Sequence, residues 1–282
     1  MFLLYIFRLV PFSLLYGLSD IMAFFLYRVI GYRKKVILLN LQRSFPEKSA
    51  HEIARLVKET YKNLTDVTLE AIKSFSTPIS EIDRRAICVN PDVVNQYLDQ
   101  GQSIILVGSH LCNWEYSGLS MPPCFHGDTL TVYKPLSNKK MDAFLNRSRA
   151  RTGAQLVAMD DVFKTMRKRA EGATPAVFLM LADQSPSSRK SAHWVNFLGQ
   201  DTASLPGVDV LGRKFEFPVV YYRVMRTQRR GFYEIEFSEL CNNPSDAQEM
   251  EITRAYATRL EADIKENPGH WLWSHKRWKM TR

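Results

Sequence analysis

Ser103-Ile104-Ile105-Leu106-Val107-Gly108-Ser109-His110-Leu111-Cys112-Asn113-Trp114-Glu115 turns from apolar to polar at a single glycine. The short apolar run Ser103–Gly108 reads as a strand, and the polar residues begin where that strand ends. In α/β sheets the carboxyl ends of strands are where ligands bind, so His110 falls on a functional edge, in the turn leading to the next helix. Five positions on stands Glu115. In one continuous helix the two side chains would point about 140° apart, but with His110 in the turn and Glu115 in the first helical turn they can converge.

Outward from this stretch the pattern alternates. Apolar runs at Leu130–Tyr133, Ala154–Val157, Ala176–Leu181, Val219–Val224 and Tyr233–Phe237 read as further strands. Helical stretches fall near Pro91–Gln100, Asn138–Arg151, Asp160–Ala170 and Asp246–Glu266. Strands alternating with helices predict one α/β domain with a largely parallel or mixed central sheet flanked by helices. Ahead of them, Ser49 and Glu52 form an S-x-x-E capping box, and Ile53, Leu56, Val57, Tyr61, Leu64 and Val67 continue at helical spacing. This long amphipathic helix is expected to cover one face of the sheet.

The first thirty residues are of another kind. Leu9–Tyr27 is mainly apolar, interrupted by Pro11, Gly17 and Asp20, and Arg28, Arg33, Lys34 and Lys35 follow. The stretch is only just long enough to span a bilayer, which takes about 20 apolar residues. It lacks the basic start and small-residue cleavage site of a signal peptide. The two readings are a buried helix packed on the domain and an uncleaved anchor that dips into or spans the membrane. The basic cluster favours the second, because it suits acidic headgroups on the cytoplasmic side. Residues 1–35 are therefore read as a hydrophobic anchor with a basic flank, and residues 36–282 as the α/β domain.

The composition (282 residues, 45% hydrophobic, 24% charged) excludes extended disorder, and a net charge of +9 favours an anionic partner. No nucleic-acid motif accompanies that charge. Cys88, Cys112, Cys124 and Cys241 are scattered, without disulfide or zinc-site spacing, so no metal is expected. The tail Trp271-Leu272-Trp273-Ser274-His275-Lys276-Arg277-Trp278 mixes indoles with cations. It suits either a bilayer interface or the core.

For chemistry, a carboxylate on one nitrogen of His110 fixes the tautomer and supports the imidazolium, freeing the other nitrogen to take a proton from a hydroxyl. Cys112 and Ser109 are rival nucleophiles, since thiolates and alkoxides also carry acyl groups. Among candidate binding groups, Arg149 stands near a helix end. Asp183 and Gln184 follow the strand Ala176–Leu181, where they either position the base or cap a turn.

Gly108-Ser109-His110 with Asn113-Trp114-Glu115 resembles the His-x4-acidic motif of the bacterial late acyltransferases of lipid A biosynthesis. The resemblance runs through nearly the whole chain. Near the start it rests on Tyr32-Arg33-Lys34-Lys35, Asn40-Leu41 and Phe45-Pro46. Further along it rests on Tyr133-Lys134-Pro135, Arg149 with Gly153, Ala182-Asp183-Gln184, Phe197-Leu198-Gly199 and the Trp-rich tail. Lys134 departs from the family's Arg and meets phosphate only as a point charge. The resemblance implies acyl transfer from an acyl carrier protein to a hydroxyl on a phosphorylated glucosamine lipid, without a cofactor. It further implies His110 as general base oriented by Glu115, at the inner membrane with the catalytic domain facing the cytoplasm. A hydroxyl attacking a thioester does need a base of near-neutral pKa and donors for the oxyanion, for which Arg149 is the expected cation. Two rivals use the same residues differently: a thioesterase activating water, and transfer to another lyso- or aminoacyl lipid. A non-enzymatic basic protein binding membrane or nucleic acid leaves His110 and Glu115 without a role.

Overall fold

A computed structural model describes residues 7, 9–172, 174–190 and 192–280. The sheet is built from β1 (Ala86–Cys88), β2 (Ile104–Gly108), β3 (Asp128–Tyr133), β4 (Gln155–Ala158), β5 (Ala176–Leu181), β8 (Val219–Arg226) and β9 (Tyr233–Cys241). Its order is β1-β9-β8-β2-β5-β3-β4. β8, β2, β5, β3 and β4 run parallel, and β9 turns back antiparallel on β8 with β1 alongside it. The expected α/β fold with a mixed sheet is thus the one observed. β2 sits at the centre with Ile104, Ile105, Leu106 and Val107 fully buried. That is why its sequence reads as continuous apolar residues and not as an alternation. β6 (His193–Phe197) and β7 (Gln200–Ser204) form a separate antiparallel hairpin. Its turn, Leu198-Gly199, has both residues at positive φ (51° and 70°), as a two-residue hairpin turn demands.

Helices flank the sheet: α1 (Phe12–Phe24), α2 (Lys34–Ser44), α3 (Ala50–Ser74), α4 (Ile79–Arg85), α5 (Asp92–Asp99), α6 (Trp114–Ser120), α7 (Lys139–Arg149), α8 (Val162–Ala170), α9 (Gly207–Phe215) and α10 (Glu251–Glu266). α3 begins at the expected capping box. The Glu52 N–H donates to Ser49 Oγ (3.3 Å), and the Ser49 N–H donates back to Glu52 Oε2 (2.8 Å).

α1 continues as a wider π-helical turn over Phe25–Ile30, and together they are long and apolar enough to cross a membrane. One narrow seam holds this helix to the domain: Leu15 and Ser19 are buried, and Ser19 Oγ donates to Asp66 Oδ1 on α3 (2.6 Å). Ala23, Leu26 and Tyr27 pack partly against the core, while Leu14, Ile21, Val29 and Ile30 are each more than half exposed. An apolar helix this open is a candidate membrane anchor and not a core helix. The boundary expected at Lys35 falls in the first turn of α2; residues 1–6 and 8 of the anchor lie outside the described residues.

The Trp-rich tail corrects the bilayer-interface alternative. Trp271 and Trp273 are buried and packed edge to face at 4.8 Å, and the Trp278 indole donates to Thr202 Oγ1 (2.7 Å). Their N–H groups have protein partners, so they need no headgroup region.

Candidate active site

Parallel register brings the site together. Gly108 of β2 pairs with Leu181 of β5, so the residues two positions beyond each strand, His110 and Asp183, come level at the carboxyl edge. His110 Nδ1 lies 2.7 Å from Asp183 Oδ1, and the His110 backbone N–H donates to Asp183 Oδ2 (2.9 Å). The Trp271 indole N–H donates to the same Oδ2 (2.8 Å). With a carboxylate on Nδ1, that nitrogen carries the proton and Nε2 keeps its lone pair. The Gln184 side-chain nitrogen stands 3.2 Å from Nε2, and the Trp114 ring packs edge to face on the imidazole at 4.9 Å.

Gly108 has a local reason to be glycine: a Cβ there would collide with the buried Tyr222 ring, while its carbonyl accepts from Tyr256 Oη (2.8 Å). Beyond it the chain turns sharply. Cys112 sits in the left-handed region (φ 53°), and its N–H donates to the His270 carbonyl (3.0 Å). Asn113 then caps α6, its Oδ1 accepting from the Tyr116 N–H (2.9 Å).

Glu115 lies in the first turn of α6 and reaches the end of α7 instead of the imidazole. Arg149 holds it as a fork, Nη2 to Oε1 at 2.6 Å and Nε to Oε2 at 3.2 Å. Among the described residues no hydrogen bond joins Glu115 to His110, and the carboxylate on the ring is Asp183, one of whose two expected roles is to position the base. Glu115 is near His110 in the chain, whereas Asp183 comes level with it from the adjacent parallel strand β5. Lys134, just past β3, is exposed on the same edge.

Electrostatics separates the residues further. Burial pushes the His110 pKa down, but the charge and hydrogen bond of Asp183, with Glu115 beyond, outweigh it and leave the ring above its usual value. Burial raises Asp183, yet His110 and the Trp271 N–H bring its carboxyl down to about 2. Burial pushes the Cys112 thiol up to about 12, so it stays protonated at neutral pH. Among the described residues no hydrogen bond joins Cys112 to His110, which leaves the Cys112 nucleophile without support. Among the described residues no cluster of His, Cys, Asp and Glu could hold a metal ion. A small cleft lined by Leu64, Val67, Trp114, Trp271 and Trp273 adjoins the site through Trp114 and Trp271.

Sequence reasoning did not single out Trp114 as the wall of the imidazole or Trp271 as the third ligand of the Asp183 carboxylate. Both stood within quoted motifs. Their roles depend on contacts across the sheet edge that no spacing encodes.

Comparison with known proteins finds relatives over most of the chain. The chain is 22% identical to the lipid A biosynthesis palmitoleoyltransferase of Escherichia coli K12 over 250 residues, 88% of this chain and 79% of that one. It is also 22% identical to the lipid A biosynthesis lauroyltransferase of the same organism over 271 residues, 95% and 86% of the two chains. A lipid A biosynthesis acyltransferase of Haemophilus influenzae is 20% identical over 273 residues, 96% and 84%. With its residues 1–280 matching the family model described as bacterial lipid A biosynthesis acyltransferase, the chain belongs to that family of acyltransferases.

Proposed function

We propose that this acyltransferase moves a fatty acyl group from an acyl carrier protein thioester to a hydroxyl of a phosphorylated glucosamine lipid, a lipid A precursor. The observation that carries the reading is the His110–Asp183 pair at the carboxyl edge of the sheet, in a chain of this family.

His110 Nε2 takes the proton of the acceptor hydroxyl as its oxygen attacks the thioester carbonyl. The tetrahedral oxyanion collapses with cleavage of the C–S bond, and the imidazolium returns the proton to the departing thiolate. Asp183 fixes the tautomer and supports the transient cation. Arg149 is the cation of the site. Its fork to Glu115 uses Nε and Nη2, and Nη1 remains to meet the oxyanion or an acceptor phosphate. Glu115 thus serves by aiming Arg149. Lys134 and Gln184 complete the substrate-binding rim, with Gln184 beside Nε2, where the acceptor hydroxyl must arrive.

Residues 1–35 anchor the enzyme in the inner membrane through the exposed apolar face of α1. Arg28, Arg33, Lys34 and Lys35 meet the acidic cytoplasmic leaflet, and the domain of residues 36–282 stays in the cytoplasm.

The test is transfer by the purified full chain in detergent, supplied with an acyl carrier protein thioester and a phosphorylated glucosamine disaccharide lipid. The acceptor is expected to gain the mass of one acyl chain as an equal amount of carrier thiol is released. Thiol release that ignores the acceptor would make the chain a thioesterase and contradict the reading. The source cells, fractionated at low salt, should hold the chain with the membranes; a wholly soluble chain contradicts the anchor.

A further inference from the structure

Glu70 is a fully buried carboxylate on α3 that the reaction above does not use. Its Oε1 accepts from Tyr16 Oη on α1 (2.7 Å). Its Oε2 accepts from Asn113 Nδ2 (2.6 Å) and from Tyr233 Oη on β9 (2.7 Å). Asn113 therefore does two things at once: Nδ2 ties it to Glu70, and Oδ1 caps α6. The next two residues are the wall of His110, Trp114, and the partner of Arg149, Glu115. A continuous hydrogen-bonded path thus runs from the exposed apolar helix, through the interior, to the turn that sets the site.

We infer that Glu70 is a positioning residue and that α1, through Tyr16, is a working part of the active site as well as an anchor. This rests on the reading of His110 and Arg149 given above. The physical case is that a buried carboxylate needs its donors. Losing one leaves the others to rearrange, because buried polar networks share their hydrogen bonds cooperatively. Asn113 is the donor that can shift, because it sits in a turn; Tyr233 belongs to a paired strand. A shift of Asn113 moves the first turn of α6 relative to His110, and misplacement of about 1 Å can cost on the order of 100-fold in rate. α1 is also tied to the domain through Ser19 and through Asp20, which pairs with Arg230 (2.8 Å), but among its described residues Tyr16 alone hydrogen-bonds Glu70. A helix held in place by lipid keeps Tyr16 on Glu70, whereas one pulled away releases it.

The experiment uses the full chain in lipid bilayers of phosphatidylethanolamine and phosphatidylglycerol. Tyr16→Phe keeps the ring and removes only the hydroxyl. It is expected to lower kcat about 3- to 10-fold, the scale of one ordinary hydrogen bond, with KM for the carrier thioester within about twofold. Asn113→Ser keeps a capping hydroxyl but lacks the amide donor to Glu70. It should lower kcat at least as much, and adding Tyr16→Phe to it should change little more, because the two act along one path. Ser19→Ala is the control: it removes a hydrogen bond between the same two helices off that path, and kcat should hold within about twofold. Hydrogen exchange gives a readout independent of activity, with the amides of residues 114–117 exchanging faster in Tyr16→Phe than in Ser19→Ala. Wild-type kcat and unchanged exchange in Tyr16→Phe, or fully additive losses with Asn113→Ser, overturn the inference. Altered exchange with no transfer by the wild type would instead fault the assigned reaction and leave the path standing.

Discussion

Two carboxylate pairs, Asp183 with His110 and Glu115 with Arg149, border the candidate site, and they sit in different surroundings. Asp183 and His110 have side chains only 2% and 15% exposed, against 26% and 30% for Glu115 and Arg149. Water screens the second pair and scarcely reaches the first. A dry carboxylate acts on its neighbour at full strength, so Asp183 is suited to setting the tautomer and pKa of a base. A half-wet bidentate pair contributes little to stability by itself, but its guanidinium can be shared with an incoming anion at modest cost. On the mechanism proposed above, proton transfer falls inside the sheet edge and charge recognition at its mouth. The His-x4-Glu motif spans the two compartments instead of forming one dyad.

The largest effect should come from breaking the dry pair at its base. His110→Ala is expected to fold, as circular dichroism would verify, and to lose roughly 100- to 10,000-fold in transfer rate. Cys112→Ala should keep most of its activity and accumulate no acyl-enzyme by mass. A dead Cys112→Ala with a trapped acyl group would move the chemistry to the thiol.

Breaking the wet pair should cost less and in a different way. Arg149→Lys keeps the charge and loses the fork, so a fall of about tenfold in kcat/KM is expected, the worth of one charge-assisted hydrogen bond. Steady-state kinetics against acceptor concentration checks this. Near-normal activity in Arg149→Lys would reduce Arg149 to a point charge, and normal activity in Arg149→Ala would remove it from the site.

Much of this was legible along the chain. The central strand, the capping box at Ser49 and the strand-end position of His110 all follow from local pattern, because burial and capping leave marks at fixed spacing. β1 was not legible, being three residues on the rim of the sheet, and neither was the β6–β7 hairpin, whose Leu198-Gly199 turn lacks the usual Asn-Gly signal. The partner of His110 was half legible: the strand-end position of Asp183 allowed it either to position the base or to cap a turn, and only the fold decides between the two. Asp183 reaches the ring through the register between β2 and β5, 73 residues apart, a relation that no local spacing such as that of His110 and Glu115 can express. Glu70 left a faint trace: Asn63, Asp66, Glu70 and Lys73 recur at helical spacing beside the apolar stripe of α3, and all four are buried. A polar stripe on a buried face signals a network, but only the folded arrangement shows where it leads.

The most direct test of the division between the two pairs is the pH dependence of kcat/KM for the wild type, Asp183→Asn and Glu115→Gln. With His110 as the proposed base, transfer requires the neutral ring, so the rate should fall as pH drops through the pKa of the ring, which Asp183 above all holds higher than usual. Removing that charge lowers the pKa, so the acid limb of Asp183→Asn should move to lower pH even as its maximum rate declines. Glu115→Gln should move the limb in the same direction but by less, since Glu115 is the more distant contributor. A limb that Glu115→Gln shifts and Asp183→Asn leaves in place would contradict the account.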